Sequence, residues 1–275
     1  MSENKPAVIP TLKGIFEGET AKKKFQEMLG SKAQGFITSV LQIVSSNSKL
    51  QEADPMTVYF AAATAATMDL PINQNLAFAW IVPYKGQAQF QMGYKGYIQL
   101  ALRTGQYLRI NTVAVYKNQF KGYNDLTEDL DADFSLDGDG EVVGYACYFK
   151  LINGFEKTTY WSKAKVVKHA TRFSQSFTYA SSPWKSDFDS MAMKTVLKNA
   201  LSKWGILSIE IQKALVVDQA VIHSEDGTVF NYVDNEGPGA QELADNATKA
   251  AEQALEKKKP GKDAAKQMEA DLSGK

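Results

Sequence analysis

The chain has few of the residues from which disulfides, zinc sites and membrane spans are built. Its 275 residues include one cysteine, Cys147, and two histidines, His169 and His223. A single cysteine excludes an intramolecular disulfide, and this Cys/His set is too small for a structural zinc site. No window approaches the ~20 apolar residues of a membrane span, and residues 1–14 lack the apolar core of a signal peptide. We therefore expect a protein of the reducing cytoplasm.

Motifs for nucleotide hydrolysis and metal binding are also missing or incomplete. The sequence has no G-x-x-x-x-G-K-[ST] phosphate loop, which argues against an ATP-driven protein. Asp129, Asp131 and Asp133 have calcium-loop spacing, but Phe134 replaces the required glycine and Gly140 the bidentate glutamate. A two-metal nuclease needs carboxylates that converge from a folded scaffold, whereas these lie close together in what the composition favours as a solvated loop. We predict no catalytic residue, no metal site and no required cofactor, and leave magnesium binding by this loop open.

The formal net charge of zero conceals a strong segregation of charge. Residues 76–203 hold 16 Lys and Arg against 11 Asp and Glu, and eight of those acids lie in residues 125–141, a run without a base. The remainder of that segment therefore has 16 basic and 3 acidic residues. Such segregation allows a local positive field in a neutral chain, which favours a surface for a polyanion.

Hydrophobic periodicity predicts strands and helices in similar measure. Runs of β-prone residues, linked by the Gly-containing segments 83–87 and Asn153–Gly154, predict two hairpins and about five strands. The predicted strands are residues 77–82, 88–92, 108–116, 141–151 and 155–161. The predicted helices are residues 35–44, 55–68, 94–104, 163–172 and 187–204. This pattern predicts an α+β fold with a mostly antiparallel sheet and packed helices.

The order of these elements predicts three parts. Residues 1–75 would form a small N-terminal helical lobe, and residues 76–225 the α+β core. Residues 226–275 would form a C-terminal tail, because residues 236–275 are rich in Ala, Lys, Glu and Gln and contain no aromatic residue. We expect this tail to be flexible or partly helical.

Three of the predicted helices carry a row of cations. Rows of fixed charge about one turn apart suit the successive phosphates of a nucleic acid, although a single row is usually only a solvated helix face. The rows are Lys95 and Arg103, then Lys165, Lys168, His169 and Arg172, then Lys194 and Lys198. We expect the last pair at the edge of an apolar stripe, along the rim of a groove.

One long segment resembles a known family. Residues 70–105 read LPINQNLAFAWIVPYKGQAQFQMGYKGYIQLALRTG, which is similar to the core of the RecT/Red-beta family of phage single-strand annealing proteins. The similarity continues through Val113–Tyr116 and through Trp184–Thr195, so that it covers roughly residues 30–225. The last fifty residues lie outside it.

The resemblance implies a function and a set of partners. It implies ATP-independent binding of single-stranded DNA and annealing of complementary strands during phage recombination in the bacterial cytoplasm. It also implies a homo-oligomer, either a ring or a helical filament. We expect residues 1–75 to form the contacts between its subunits. The partners implied for the tail are a phage 5′ to 3′ exonuclease and the host single-strand binding protein.

The predicted DNA-binding residues come from two sources. The resemblance assigns Tyr84, Lys85, Tyr94, Lys95, Arg103, Lys185, Lys194 and Lys198. Pattern alone assigns Arg109, Lys117, His169 and Arg172. Among the aromatic residues we expect Tyr84 and Tyr94 to stack on bases, and Trp80, Phe90 and Trp184 to serve as packing.

Two other classes of protein remain open. A metal-dependent nuclease would use the acidic run and would shorten DNA. A non-catalytic phage scaffold protein would use the basic rows to bind partner proteins and would have no strand-specific affinity for DNA.

Overall fold

The computed structural model describes residues 11–73, 75–180, 182–224 and 226–232. It confirms the α+β class, with helices packed against antiparallel sheets. The helices are α1 Leu12–Glu17, α2 Glu19–Leu29, α3 Ala33–Ser45, α4 Ser48–Gln51, α5 Pro55–Thr67, α6 Tyr94–Arg103, α7 Lys163–Phe173, α8 Pro183–Ser186, α9 Phe188–Trp204 and α10 Ile209–Val217. The strands are β1 Ala79–Tyr84, β2 Gln87–Met92, β3 Tyr107–Tyr116, β4 Phe120–Asn124, β5 Asp129–Ala132, β6 Val142–Leu151, β7 Glu156–Ser162, β8 Ala220–Ile222 and β9 Phe230–Asn231. Of the predicted tail, residues 226–275, residues 226–232 are described and include β9, whereas residues 233–275 lie outside the described residues.

The strands divide among three sheets, whereas we expected one sheet of about five strands. The orders are β1-β2-β8-β9, β3-β6-β7 and β4-β5, and every pairing between named strands is antiparallel. The first hairpin does not join β3 because β2 pairs instead with β8, through Gln89 opposite Val221. A partner strand about 130 residues further along the chain leaves no local signal in the sequence.

The acidic run contains a strand, so the prediction of a loop was wrong for its first part. In β5 the side chains of Asp129 and Asp131 are exposed, while Leu130 is half-buried against the small cluster around Tyr160. Strand β4 completes the layer, with the ring of Phe120 stacked 5.2 Å from that of Tyr160. Exposed and half-buried side chains alternate along β5, as expected for a strand that has one face in solvent.

The turns of the two predicted hairpins differ. Lys85 and Gly86 form the two-residue turn between β1 and β2, with φ of 46° and 76°, the positive values that a type I′ turn needs. The connection between β6 and β7 is longer than the predicted two residues. It spans residues 152–155 and is closed by a hydrogen bond from Leu151 N to Phe155 O of 2.8 Å.

Two glycines allow α6 to begin directly against the backbone that precedes β1. A Cβ on Gly93 would lie 1.9 Å from Ala77 O, and one on Gly96 would lie 2.1 Å from Phe78 O. The same contact includes a hydrogen bond from Gly93 N to Phe78 O of 2.8 Å. The spacing of glycines in GYKG is therefore a packing requirement of the helix start.

The helical region and the two larger sheets share one hydrophobic cluster, whereas the β4–β5 sheet packs on the smaller cluster around Tyr160. All described residues fall in one compact unit, Met1–Asp234. Helix α5 is buried on nearly every side and is capped by the Asp54 side chain, which accepts from Met56 N. Thr57 Oγ1 accepts from Ala88 N at 2.9 Å, which ties α5 to β2. The predicted division of the chain at residues 75 and 225 stays a prediction.

Candidate nucleic-acid interface

Helix α7 presents the most exposed of the predicted cationic rows. Ser162 caps the helix by accepting from Lys165 N at 3.2 Å, and the buried residues Val166 and Ala170 fix which side faces the protein. Lys165, Lys168 and Arg172 are exposed, since they recur on the opposite side at the helical period.

Aromatic rings lie beneath and beside these cations. The His169 ring is 5.2 Å from Trp161 and 4.7 Å from Phe173. The Lys165 ammonium is 5.0 Å from the Trp161 ring, and the Arg172 guanidinium 5.0 Å from the Phe173 ring. Phe173 is itself 39% exposed. We call this set, with Lys168, the α7 surface: Trp161, Lys165, Lys168, His169, Arg172 and Phe173.

The charge state of His169 differs from that of its neighbours. Partial burial lowers the pKa of the imidazole, and the nearby Lys198 and Arg172 lower it further. The ring is therefore neutral at neutral pH, because its ordinary pKa is already below 7. In the α7 surface His169 supplies an aromatic face and a hydrogen-bonding nitrogen rather than a fixed charge.

A second group of cations and rings lies between α7 and α9. Lys185, a predicted site residue, is exposed, with its ammonium 5.0 Å from the Phe177 ring. The Phe177, Trp184 and Phe188 rings follow one another at 5.7 Å and 5.5 Å. The Lys163 ammonium lies 5.8 Å from Phe188, which adds a cation that the sequence patterns did not single out.

Lys194 does not lie at the rim of a groove, and that expectation was wrong. The residue is 8% exposed, and its ammonium is 3.2 Å from Asp218 Oδ1. Helix α9 packs against α6 on one side and against β3, β6 and β7 on others, so a position expected at the edge of its apolar stripe is enclosed. Lys198, one turn later, keeps 34% of its side chain exposed and pairs with Asp218 Oδ2 at 3.0 Å.

Asp218 also accepts two hydrogen bonds from other groups. We call Asp218, with its partners Lys194, Lys198, Met92 and Tyr97, the Asp218 hub. Its carboxylate accepts from Met92 N at 2.9 Å and from the Tyr97 hydroxyl at 3.1 Å. Burial opposes ionisation of Asp218, but Lys194, Lys198 and these hydrogen bonds hold its pKa well below the usual range. Sequence reasoning missed Asp218, because it lies 24 and 20 residues beyond the lysines that it pairs with.

The charged group of Arg103 is also bound within the protein, by backbone carbonyl groups. Its guanidinium donates to Met68 O at 2.7 Å and to Asp69 O at 2.9 Å, just beyond the C-terminus of α5. A cation at this end satisfies carbonyls that the helix leaves without partners. Lys95, the other member of the predicted row on α6, is exposed in the first turn of that helix.

The site residues predicted in and after the first hairpin differ in their exposure to solvent. Lys85 is exposed at the turn, with its ammonium 5.2 Å from the centroid of the half-buried Tyr84 ring. Tyr94 is half-buried, packs against the core cluster and donates to Thr112 O at 3.4 Å, and burial raises its pKa. Arg109 in β3 and Lys117 after it are exposed.

The packing predictions for three aromatic residues have different outcomes. Phe90 and Trp184 are buried, as predicted. Trp80 is half-buried in β1 and is absent from the described core cluster. Its predicted role as packing therefore stays a prediction.

Neither a metal cluster nor a membrane helix is found in the part of the chain that the structure describes. No three His, Cys, Asp or Glu side chains within these residues are arranged to hold a metal ion. None of the helices formed by them has both the length and the apolar character to cross a membrane.

The described structure is thus that of an α+β protein with cations set over aromatic rings. Residues 34–231 match the model of the RecT family, and the chain belongs to that family. It is 53% identical over 206 residues to the uncharacterized protein YqaK of Bacillus subtilis (strain 168), over 75% of this chain and 71% of that protein. It is 26% identical over 182 residues to Protein RecT of Escherichia coli (strain K12), over 62% and 65% of the two chains.

Proposed function

We propose that the chain binds single-stranded DNA and anneals complementary strands in phage recombination without hydrolysing a nucleotide. Membership of the RecT family supports this proposal, and the α7 surface is the observation that carries it. Its exposed cations provide phosphate contacts, and its exposed Phe173 ring provides stacking for a flexible strand. Lys95, Lys185 and Lys198 are further proposed contacts, since each keeps an exposed or partly exposed side chain.

Annealing needs a first strand that is held by its backbone while its bases stay available. Contacts from Lys165, Lys168 and Arg172 to phosphates would hold the strand without reading its sequence. A second strand could then test base pairing, so that complementarity is read by the DNA. No step of this process needs a bound metal or cofactor, although Mg²⁺ would assist the approach of two strands by screening phosphates.

The first test is annealing of two dye-labelled complementary oligonucleotides without ATP. Protein is added to one strand before the other, and the products are then run on a denaturing gel. Faster pairing with strands of unchanged length would support the proposal. Shortened strands would favour the metal-dependent nuclease, and no acceleration would favour the scaffold protein.

A second test locates the residues that bind phosphates. In the double variant Lys165→Ala/Lys168→Ala we expect weaker binding to oligonucleotides of every sequence. The logarithmic dependence of affinity on salt should also be flatter, by about 0.7 for each phosphate that the variant no longer neutralises. The measurement is fluorescence anisotropy across a series of salt concentrations.

A matched control is Lys22→Ala/Lys23→Ala, two exposed lysines on α2, for which we expect the wild-type slope. An unchanged slope in the α7 variant would remove α7 from the DNA interface. Lys194 is unsuitable for such a test, because its replacement would leave buried Asp218 with one cation fewer.

The oligomer and the partners belong to the same proposal. The family resemblance supports assembly into a ring or helical filament on single-stranded DNA and the annealed duplex, in the bacterial cytoplasm. Residues 226–275 would bind a phage 5′ to 3′ exonuclease, which supplies single strands, and the host single-strand binding protein.

A further inference from the structure

Five large apolar side chains are exposed on segments that meet around Tyr107. They lie at the register shift near the start of β3, in the connection between β6 and β7, and between the end of α9 and the first residue of α10. Their exposed fractions range from 36% to 73%, and we call them the Tyr107 patch: Leu108, Ile152, Phe155, Ile206 and Ile209. Single exposed apolar residues are normal, whereas a group of them marks a contact surface.

Contacts between these segments bring the five residues to one edge of the molecule. The amide of Ile152 donates to Gln106 O at 2.9 Å, which joins the β6–β7 connection to the start of β3. The Tyr107 hydroxyl donates to Ile206 O at 3.1 Å, which joins β3 to the link between α9 and α10. The rings of Tyr107 and Phe155 lie 5.6 Å and 6.1 Å from one buried ring of β6. The three segments therefore form one surface around Tyr107.

The chemistry of the patch suits a protein partner. None of its five side chains carries a charge or a hydrogen-bond donor, so the patch itself offers nothing to phosphates. The charged residues adjoining it in sequence are of both signs: Arg109, Lys150, Glu156 and Glu210. Two of them, Lys150 and Glu156, already form a pair at 3.2 Å. A rim with both signs is complementary to a second copy of itself, whereas a partner of one sign would meet like charges.

The exposed area of the patch also agrees with contact between two copies. At roughly 200 Å² for a large apolar side chain, the exposed fractions amount to about 500 Å², which is near the upper end for the largest apolar patch of a monomer. Two such patches in contact would bury about 1,000 Å², and their polar rims would add to this, whereas stable interfaces bury about 1,200–2,000 Å² in total. One patch against a polar surface would bury too little apolar area.

We propose that the Tyr107 patch is the interface of a two-fold symmetric pair of this chain, in which the patch of one copy packs against the same patch of the other. The inference deepens the homo-oligomer of the proposed function and rests on it, although the pair itself needs no DNA. A two-fold contact closes on itself. A ring or filament would therefore need a second surface, for which residues 1–75 remain the expected region.

Photo-cross-linking tests the location of the contact. Ile209 is replaced by the photoreactive benzoylphenylalanine in the full chain, and copies with light and heavy nitrogen are mixed, allowed to exchange and irradiated without DNA. Mass spectrometry identifies the joined peptides. We expect light–heavy products between position 209 and peptides that contain Leu108, Ile152 or Phe155.

Two other results would overturn the inference. Light–heavy products that join position 209 to a surface outside the patch would mean that the copies meet through two different surfaces. Products within single copies, without any light–heavy product, would mean that another segment of the same chain covers the patch.

Sedimentation velocity of the full chain without DNA tests the contribution of the patch. In Leu108→Ser/Ile209→Ser, which replaces its two most exposed members, we expect the dissociation constant of the pair to rise at least about tenfold. The matched control Phe134→Ser/Leu136→Ser replaces two exposed apolar residues after β5 and should leave the pair intact. A wild type that stays a monomer at micromolar concentration, or a patch variant that associates as wild type does, would contradict the inference.

The annealing assay separates the inference from the function on which it rests. A wild type that forms the pair but does not anneal complementary oligonucleotides contradicts the proposed function alone. A wild type that anneals but gives no light–heavy product at position 209 overturns the inference alone. If the serine double variant fails to fold, Ile152→Lys provides the same comparison, because a two-fold contact would bring the two introduced ammonium groups into one apolar interface.

Discussion

At the scale of single residues, the tightest constraint is the start of α6. A methyl group on Gly96 would lie 2.1 Å from Phe78 O, a backbone atom that cannot rotate away. We therefore expect Gly96→Ala to lower the free energy of unfolding by about 1–3 kcal/mol, the usual cost of inserting a carbon where there is no space. Denaturant unfolding followed by circular dichroism measures this change.

Gly35 provides the control for the same substitution. It lies within α3, and a Cβ there would meet nothing within 4 Å. Gly35→Ala should raise stability by roughly 0.5–1 kcal/mol, because alanine loses less conformational freedom in a helix. If both variants lose stability equally, the close approach at Gly96 is not the cause.

The Asp218 hub leads to a second prediction. Asp218→Asn would leave Lys194 buried without a counter-charge, and breaking a buried ion pair in this way costs about 3–5 kcal/mol. Denaturant unfolding at neutral pH measures the difference from wild type. Asp69→Asn is the matched control, since its ion pair with Lys32 is exposed and should contribute less than about 1 kcal/mol.

The pH dependence of the hub has a definite sign. The folded-state pKa of Asp218 is held well below its ordinary value, so the unfolded chain binds the proton more readily. The stabilisation is therefore complete above the unfolded pKa near about 4 and is lost as the pH falls further. Asp218→Asn should reduce the loss of stability below that pH. An acid unfolding curve parallel to that of wild type would contradict this account.

At the scale of secondary structure, the sequence predicted those elements whose signals are local. Helix α5 was predicted because Asp54 and Pro55 mark its start, and α7 because Ser162 can cap a periodic segment. The β8 strand could not be predicted, because its three residues acquire their role only by pairing with β2. The prediction that Lys194 lies at the rim of a groove was wrong for the same reason. The burial of α9 on several sides depends on the tertiary structure and not on the local sequence.

The candidate site divides in the same way. The cations of α7 and the rings of His169 and Phe173 follow from the sequence of one helix, whereas the Trp161 ring comes from β7. Which β1 residue lies opposite which β2 residue depends on the register of the hairpin, which the two-residue turn at Lys85 and Gly86 sets.

One residue of its turn, Glu128, joins the β4–β5 hairpin to the elements beside it. Glu128 lies 2.9 Å from Lys157 in β7 and 2.7 Å from Lys203 in α9. Both ammonium groups also lie within 5 Å of the Trp204 ring. Partial burial opposes ionisation of Glu128, but the two lysines lower its pKa below the ordinary value. The carboxylate thus links the hairpin to β7 and to α9, in addition to the packing of Phe120 on Tyr160.

Replacement of Glu128 should loosen that hairpin locally. In Glu128→Gln we expect faster amide hydrogen exchange in residues 120–132, with little change in the β3–β6 pairing, because one anchor is removed while the core is kept. Glu156→Gln is the control, since that carboxylate forms an exposed pair with Lys150. Unchanged exchange in the hairpin would mean that packing of Phe120 and Leu130 alone holds it.

At the scale of the whole molecule, segregation of charge reconciles a net charge of zero with the proposed DNA binding. Two of the acidic residues in the segment 125–141 are exposed aspartates of β5, which belongs to the two-stranded β4–β5 sheet. The cations of the α7 surface lie on a helix outside that sheet. Local fields, rather than the net charge, decide where a polyanion binds. Affinity for DNA should accordingly depend on salt despite overall neutrality.

The C-terminal segment provides the last prediction. The described residues all belong to the compact unit Met1–Asp234, and so does the α7 surface. A chain ending at Asp234 should therefore anneal oligonucleotides at the wild-type rate and lose capture of the exonuclease and of the single-strand binding protein. Annealing kinetics and pull-down with each purified partner measure the two properties. Retained capture would place the partner-binding surface on the α+β core, and slower annealing would make the segment part of the DNA interface.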